Sequence, residues 1–171
     1  MLYFDAHAKI GQRPLKHKRT RWSTEHLLED MDLGEISGAL VSHSVAHAND
    51  PLYGNKRLAI ESAKAPGRLF GLWCLLPVGS PDCFKDGPAL LQAMEDADIS
   101  AVRAVKGIYS LQDWLIGPTF SALQAAEILT LIEVGWGGSY PFFLTNYSPV
   151  ISACRYYLTI TCGRNNGMRI I

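Results

Sequence analysis

The sequence lacks most of what would tie it to a membrane, a nucleic acid or a disulfide scaffold. No apolar run approaches the roughly 20 residues that span a bilayer, and the N-terminus shows no basic stretch leading into a long apolar segment with a small-residue cleavage site. A cytoplasmic protein without membrane contact is expected. Charge of one sign is not in excess: 16 Lys and Arg balance 16 Asp and Glu. Nothing therefore draws the chain to a nucleic acid or an anionic surface. Cysteine is sparse, and Cys74, Cys83, Cys154 and Cys162 form no Cys-x-x-Cys pair. A zinc knuckle or redox dithiol is not indicated, and reduced thiols behaving as small hydrophobes are expected. Two further absences bear on chemistry: no histidine follows His47, and no Asp or Glu follows Glu133.

What is present is ordinary globular material. With 171 residues, 48% hydrophobic and 19% charged, the chain can build one domain over residues 1–171 with a sizeable core. Strand-like and helix-like segments alternate from the start. "LYFDAH" reads as a buried strand. "WSTEHLLEDMDLG" reads as a helix that Ser23 or Thr24 can cap, with Glu25 at its positive end and Gly34 at its stop. "ISGALVSH" is a second strand, and Asp50-Pro51 offers the start of a helix carried by "GNKRLAIESAKA". Then follow the strand "RLFGLWCLLP", a helix opened by Asp86 and Pro88, the strand "ISAVRAVKG", the helix "GPTFSALQAAE" and the strand "ILTLIEVGWG".

Continuous apolar strands separated by amphipathic helices predict a parallel sheet covered by helices. An open doubly wound sheet would carry a glycine-rich phosphate loop after its first strand, and "DAHAKIGQRP" is not one. A complete eight-fold barrel needs about 250 residues. The fold class expected is therefore α/β, a partial or shortened (β/α)8 barrel with parallel strands. From residue 140 to 171 the alternation breaks into a divergent segment with strand-like runs "PFFLTN" and "RYYLTIT". The ending "MRII" reads as a cut inside an element, and an incomplete chain is one of the expectations carried forward.

The run "LLEDMDLGEISGALVSHSVAHANDPLYGNKRLAIESAKAPGRLFGLWCLLP", with "FDAHAKIG" before it and "AVRAVKG" after it, resembles the amidohydrolase-related proteins. The likeness covers roughly residues 1–135. It implies a (β/α)8 barrel, hydrolase or decarboxylase activity, and an active site at the C-terminal mouth of the strands. It also implies a divalent metal such as zinc, held by a His-x-His on the first strand, later histidines and a terminal aspartate. His7 matches the first position of that clamp, as a metal ligand. Lys9 stands where the second imidazole would be, and the later ligands have no counterpart.

The candidate residues follow from strand ends. Asp5 and His7 are two apart, a spacing that places both on one side of a regular strand for acid–base work; tying down the first loop is the structural alternative. His43 at the second strand end could join His7, and His47 would share its face only if the loop begins as a helix. Arg103, Lys106 and Lys9 can hold an anionic substrate, and Glu133 can move a proton; Arg103, Lys106 and Glu133 can equally neutralise one another as buried pairs. Trp73, Trp114, Trp136 and the aromatics Tyr140, Phe142, Phe143, Tyr156 and Tyr157 can line a pocket or fill the core.

The function expected is an amidohydrolase-like hydrolase of a small carboxylate, amide or ester, or a related decarboxylase, with one divalent metal or none. The alternatives are a catalytically silent barrel that binds a small anion and an incomplete chain without activity of its own. A small molecule is the expected partner, and a homo-oligomer is an open alternative.

Overall fold

A computed structural model describes residues 3–12, 21–79, 83–105, 108–134 and 157–161. In chain order the elements are β1 (Tyr3–Ile10), α1 (Thr24–Leu33), β2 (Ile36–His43), α2 (Ser44–Ala48), α3 (Pro51–Ser62), β3 (Leu69–Cys74), α4 (Gly87–Asp96), β4 (Ile99–Ala104), α5 (Asp113–Ala125), β5 (Leu129–Val134) and β6 (Tyr157–Thr161). The chain divides into two compact units, one of residues 1–74 with 97–100, the other of residues 75–96 with 101–171. β1 pairs β2 and β2 pairs β3 in the first unit, β4 pairs β5 and β5 pairs β6 in the second, all parallel. Parallel strands joined by helices are the architecture of a partial (β/α)8 barrel, as the sequence predicts.

The local signals act as expected at most ends. Ser23, not Thr24, caps α1 by accepting the His26 N–H at 3.2 Å. Asp50 caps α3 through the Tyr53 N–H, with Pro51 in the first turn. Asp86 accepts the Ala89 N–H at 2.9 Å at the start of α4. The connections from helix to following strand share one device, a residue in the left-handed region: Glu35 after α1, Gly67 after α3, Asp98 after α4 and Glu127 after α5. That conformation turns the chain sharply out of the helix and costs a non-glycine residue roughly 1 kcal/mol, which the repeat accepts at three of the four turns.

Two elements differ from the sequence expectation. The second strand runs into a short helix, α2, before α3 begins. The helix expected at Gly117 starts a turn earlier, at Asp113, so Pro118 lies inside α5. The buried stripe Ile116, Phe120 and Leu123 explains this, because it begins before the proline and holds the first turn onto the core.

In the first unit Ile10, Met31, Val41, Leu58 and Leu72 are almost fully buried. α3 meets α2 at very close range, since a Cβ on Gly54 would lie 2.1 Å from the Ala46 backbone nitrogen. The buried Asn55 next to it fixes α3 to the end of β3, donating to the Cys74 carbonyl and accepting the Cys74 N–H, both at 2.9 Å. In the second unit Leu90, Met94, Val102, Ile116, Phe120, Leu123 and Leu131 form the core. Buried Thr119 accepts the Val78 N–H at 3.0 Å and ties α5 to the loop before α4. Trp73 joins the core, whereas Trp114 is 76% exposed. Cys74 is a buried free thiol and Cys83 a half-buried one. Cys154, Cys162, Lys106, Trp136, Tyr140 and the run "PFFLTN" lie outside the described residues.

Replacing Asn55 with Ala would strand a buried donor and a buried acceptor of Cys74 together. Asn55→Ala is expected to lower the unfolding free energy by about 2–4 kcal/mol, read as a lower urea midpoint with lost hydrogen-exchange protection at the Cys74 amide.

Candidate functional site

The geometry at the ends of β1 and β2 is set by a bulge. Asp5 is in register with Ala39 and Ala8 with Val41, so β1 places two residues, Ala6 and His7, opposite the single residue Leu40. The extra residue breaks the two-residue parity of the strand. The His7 N–H is satisfied by the Asp5 carboxylate at 2.9 Å. Asp5 therefore bonds the His7 backbone and closes the bulge; the regular-strand spacing that would set the two side chains side by side does not hold here.

Beyond the bulge the register runs Lys9 to Ser42 and Ile10 to His43. Neighbours across a parallel pair share a face and successive residues alternate. Lys9 and Ser42 thus lie on one face, where the His7 Nε2 stands 3.5 Å from the Ser42 hydroxyl. Ser42 also lies 3.5 Å from the Ala8 carbonyl; both are long, weak contacts. Further down the same face Phe4 and Phe70 meet with ring centroids 5.8 Å apart. His43 belongs to the opposite face, with Ile10, towards α1 and α3. The structure brings together His7, Lys9 and Ser42, and separates His43 from them by the thickness of the sheet.

His43 is 7% exposed and caps α2, its Nδ1 accepting the Val45 N–H at 3.3 Å. The loop does begin as a helix, with His47 in its last turn. An acceptor at Nδ1 requires the neutral ring with its proton on Nε2. Burial, and secondarily the Arg57 charge, push the His43 pKa down, while Glu61 opposes them. The Nε2 edge rests on Gly11, whose φ is +89° and where a Cβ would lie 2.6 Å from that nitrogen.

Beside His43 a cavity of about 510 Å³ opens between the end of β1, the start of α1 and α3. Its charged wall is a network. Thr24 donates to Glu61 at 2.6 Å, and Lys64 bridges Glu61 at 2.6 Å and Glu25 at 3.3 Å. Arg57 reaches Glu61 only at 3.7 Å. The Glu25 carboxylate is held at about 2, chiefly by its own backbone N–H and the Ser23 hydroxyl, then by Lys64. Burial raises the Glu61 pKa, but the bonds from Lys64 and Thr24 outweigh it and the net direction is down.

Among the other candidates, Arg103 is a buried residue of β4 in register with Leu131, and its carbonyl accepts the Leu75 N–H at 2.8 Å. Glu133 lies in β5 in register with Ile160. Among the described residues no group of three or more His, Cys, Asp or Glu side chains is placed to hold a metal ion. Sequence reasoning missed Ser42, Gly11, Arg57 and the Thr24–Glu61 bond. Ser42 was recoverable from strand pairing with Lys9, whereas Thr24 and Glu61 are 37 residues apart and leave no local signal.

No known family profile matches the chain, and no curated protein does. Solved structures do. A proposed 2-pyrone-4,6-dicarboxylic acid hydrolase from Pseudomonas putida aligns over 86% of this chain and 53% of its own, at 16% identity and a TM-score of 0.57. An apo protein from Agrobacterium tumefaciens aligns over 91% and 54%, at 11% identity and 0.58. 4-Oxalomesaconate hydratase from Rhodopseudomonas palustris aligns over 93% and 62%, at 12% identity and 0.55. The likeness is one of fold. This chain spans between about half and three fifths of the length of these proteins. No helix among the described residues is long and apolar enough to cross a membrane.

Because the folded pKa of His43 lies below its ordinary value of about 6.5, the unfolded chain takes up the proton first. The contribution of His43 to stability is complete above that value and is lost as pH falls through the folded pKa. The unfolding midpoint is expected to drop below about pH 6.5. His43→Asn, which keeps an acceptor for the Val45 N–H, should flatten that slope; equal slopes in the two proteins would refute the assignment.

Proposed function

We propose that the chain belongs to an amidohydrolase-related hydrolase acting on a small carboxylate, amide or ester, with decarboxylation as related chemistry. The observation that carries this reading is the meeting of Lys9, His7 and Ser42 at the C-terminal ends of β1 and β2, on the face turned away from the helices. In a (β/α)8 barrel that face lines the interior, and its C-terminal rim is where active sites form. The fold likeness adds support, since two of the similar structures are named for acting on carboxylic acids.

In this reading Lys9 holds a substrate carboxylate as a compact cation. His7 takes or returns a proton, and Ser42 orients the imidazole through its hydroxyl. A divalent metal is the group the resemblance implies, but the donors that β1 and β2 place on this face are a single imidazole beside an ammonium. That set does not fit a metal, which ordinarily takes about three protein ligands.

A second reading is favoured by the same Lys9: a barrel that binds a small carboxylate without turning it over. Kinetics with simple esters and lactones of dicarboxylic acids, run with and without zinc alongside elemental analysis of the purified protein, separates the two. The hydrolase reading expects turnover, a KM for the anionic substrate raised about tenfold or more by Lys9→Met, and a kcat lowered about 10²–10⁴-fold by His7→Asn. Saturable carboxylate binding with no turnover in either condition would leave the binding protein. About one tightly held zinc per chain would show that His7 has partners beyond this face.

A further inference from the structure

The cavity on the helix-bearing side of the sheet is separate from the His7–Lys9 face, and the chemistry so far proposed does not use it. Its volume of about 510 Å³ falls within the range of small-molecule sites. We propose that it is a second binding site, for a small carboxylate with an apolar body.

The groups in the wall differ in how much hydrogen-bonding capacity they have left. The two carboxylates are committed: Glu61 accepts from Thr24 and Lys64, and Glu25 from Lys64. Lys64 is occupied in turn by both. What is left over is donor capacity. Arg57 meets a carboxylate only at 3.7 Å, beyond hydrogen-bond reach, so most of its five N–H groups are open. His43 is more than nine-tenths buried, its Nδ1 is used by Val45, and its Nε2 has no hydrogen-bond partner among the described residues.

An acceptor that satisfies Arg57 and the His43 Nε2–H together is a carboxylate, which suits the planar guanidinium fork. Glu25 and Glu61 balance Arg57 and Lys64 in formal charge, so open donor capacity, and not net charge, favours an acceptor over a cation. The remaining wall is apolar or aromatic: Ile10 and Val45 at the base, Trp22 and Tyr53, both about half exposed, at the rim. Gly11 makes the imidazole edge available, because any Cβ there would cover Nε2. These surfaces favour a carboxylate attached to a ring or short hydrocarbon over inorganic phosphate.

Calorimetric titration of the folded chain with benzoate, with benzyl alcohol as the neutral counterpart, tests this. A saturable benzoate site that depends on Arg57 is expected, with much weaker binding of benzyl alcohol there. Arg57→Gln and His43→Asn should each weaken benzoate at this cavity about tenfold or more, and the Arg57-dependent binding should persist when the carboxylate-holding cation of the opposite face is removed in Lys9→Met. Arg57 is half exposed, so its variant keeps the core intact and decides the matter even if the His43 variant folds poorly. Absence of saturable binding, equal binding of benzyl alcohol, or indifference to Arg57→Gln would overturn the proposal. Loss of binding in Lys9→Met would overturn it too, by moving the carboxylate to the opposite face.

Discussion

The pairing of β1 with β2 is the constraint on which both candidate sites depend. A parallel ladder fixes which side chains share a face, and one extra residue inverts the assignment for everything after it. The bulge at Ala6–His7 does this within a single turn of sequence. It leaves Lys9 with Ser42 on one face and Ile10 with His43 on the other. The Asp5 carboxylate, by taking the His7 N–H, supplies the bond that the interrupted ladder cannot. Asp5 therefore acts on the site through the backbone.

Close packing then holds the helices where the second face needs them. Gly54 lets α3 approach α2, and Asn55 fastens α3 to the end of β3, so Arg57, Glu61 and Lys64 are presented one turn after another towards the cavity. The Ser44 hydroxyl completes the frame, donating to the Ile10 and Gly11 carbonyls at 2.8 and 2.7 Å. With the end of β1 tied to the start of α2, the His43 ring has little freedom. Its neutral tautomer follows from that placement. The charged network contributes arrangement more than stability, because Lys64 and Glu25 are largely solvated and exposed ion pairs add little.

Much of the fold was legible in the letters. Apolar runs of strand length, caps at Asp50 and Asp86, and proline and glycine punctuation place most elements within a few residues. The missing phosphate loop and the short length point to a partial barrel. The misreadings have identifiable physical causes. α5 begins before Gly117 because burial of Ile116 outweighs the proline signal, and α2 appears where His43 itself supplies the cap.

The site was legible only in part. Sequence alone determined that His7, Lys9 and His43 stand near strand ends and that no histidine follows His47, since identity and order along the chain are its direct content. Tertiary structure decided which of these residues face one another. Strand register and one inserted residue set the face of every later side chain, and the 37-residue separation of Thr24 from Glu61 is closed only by packing α1 and α3 against the same sheet.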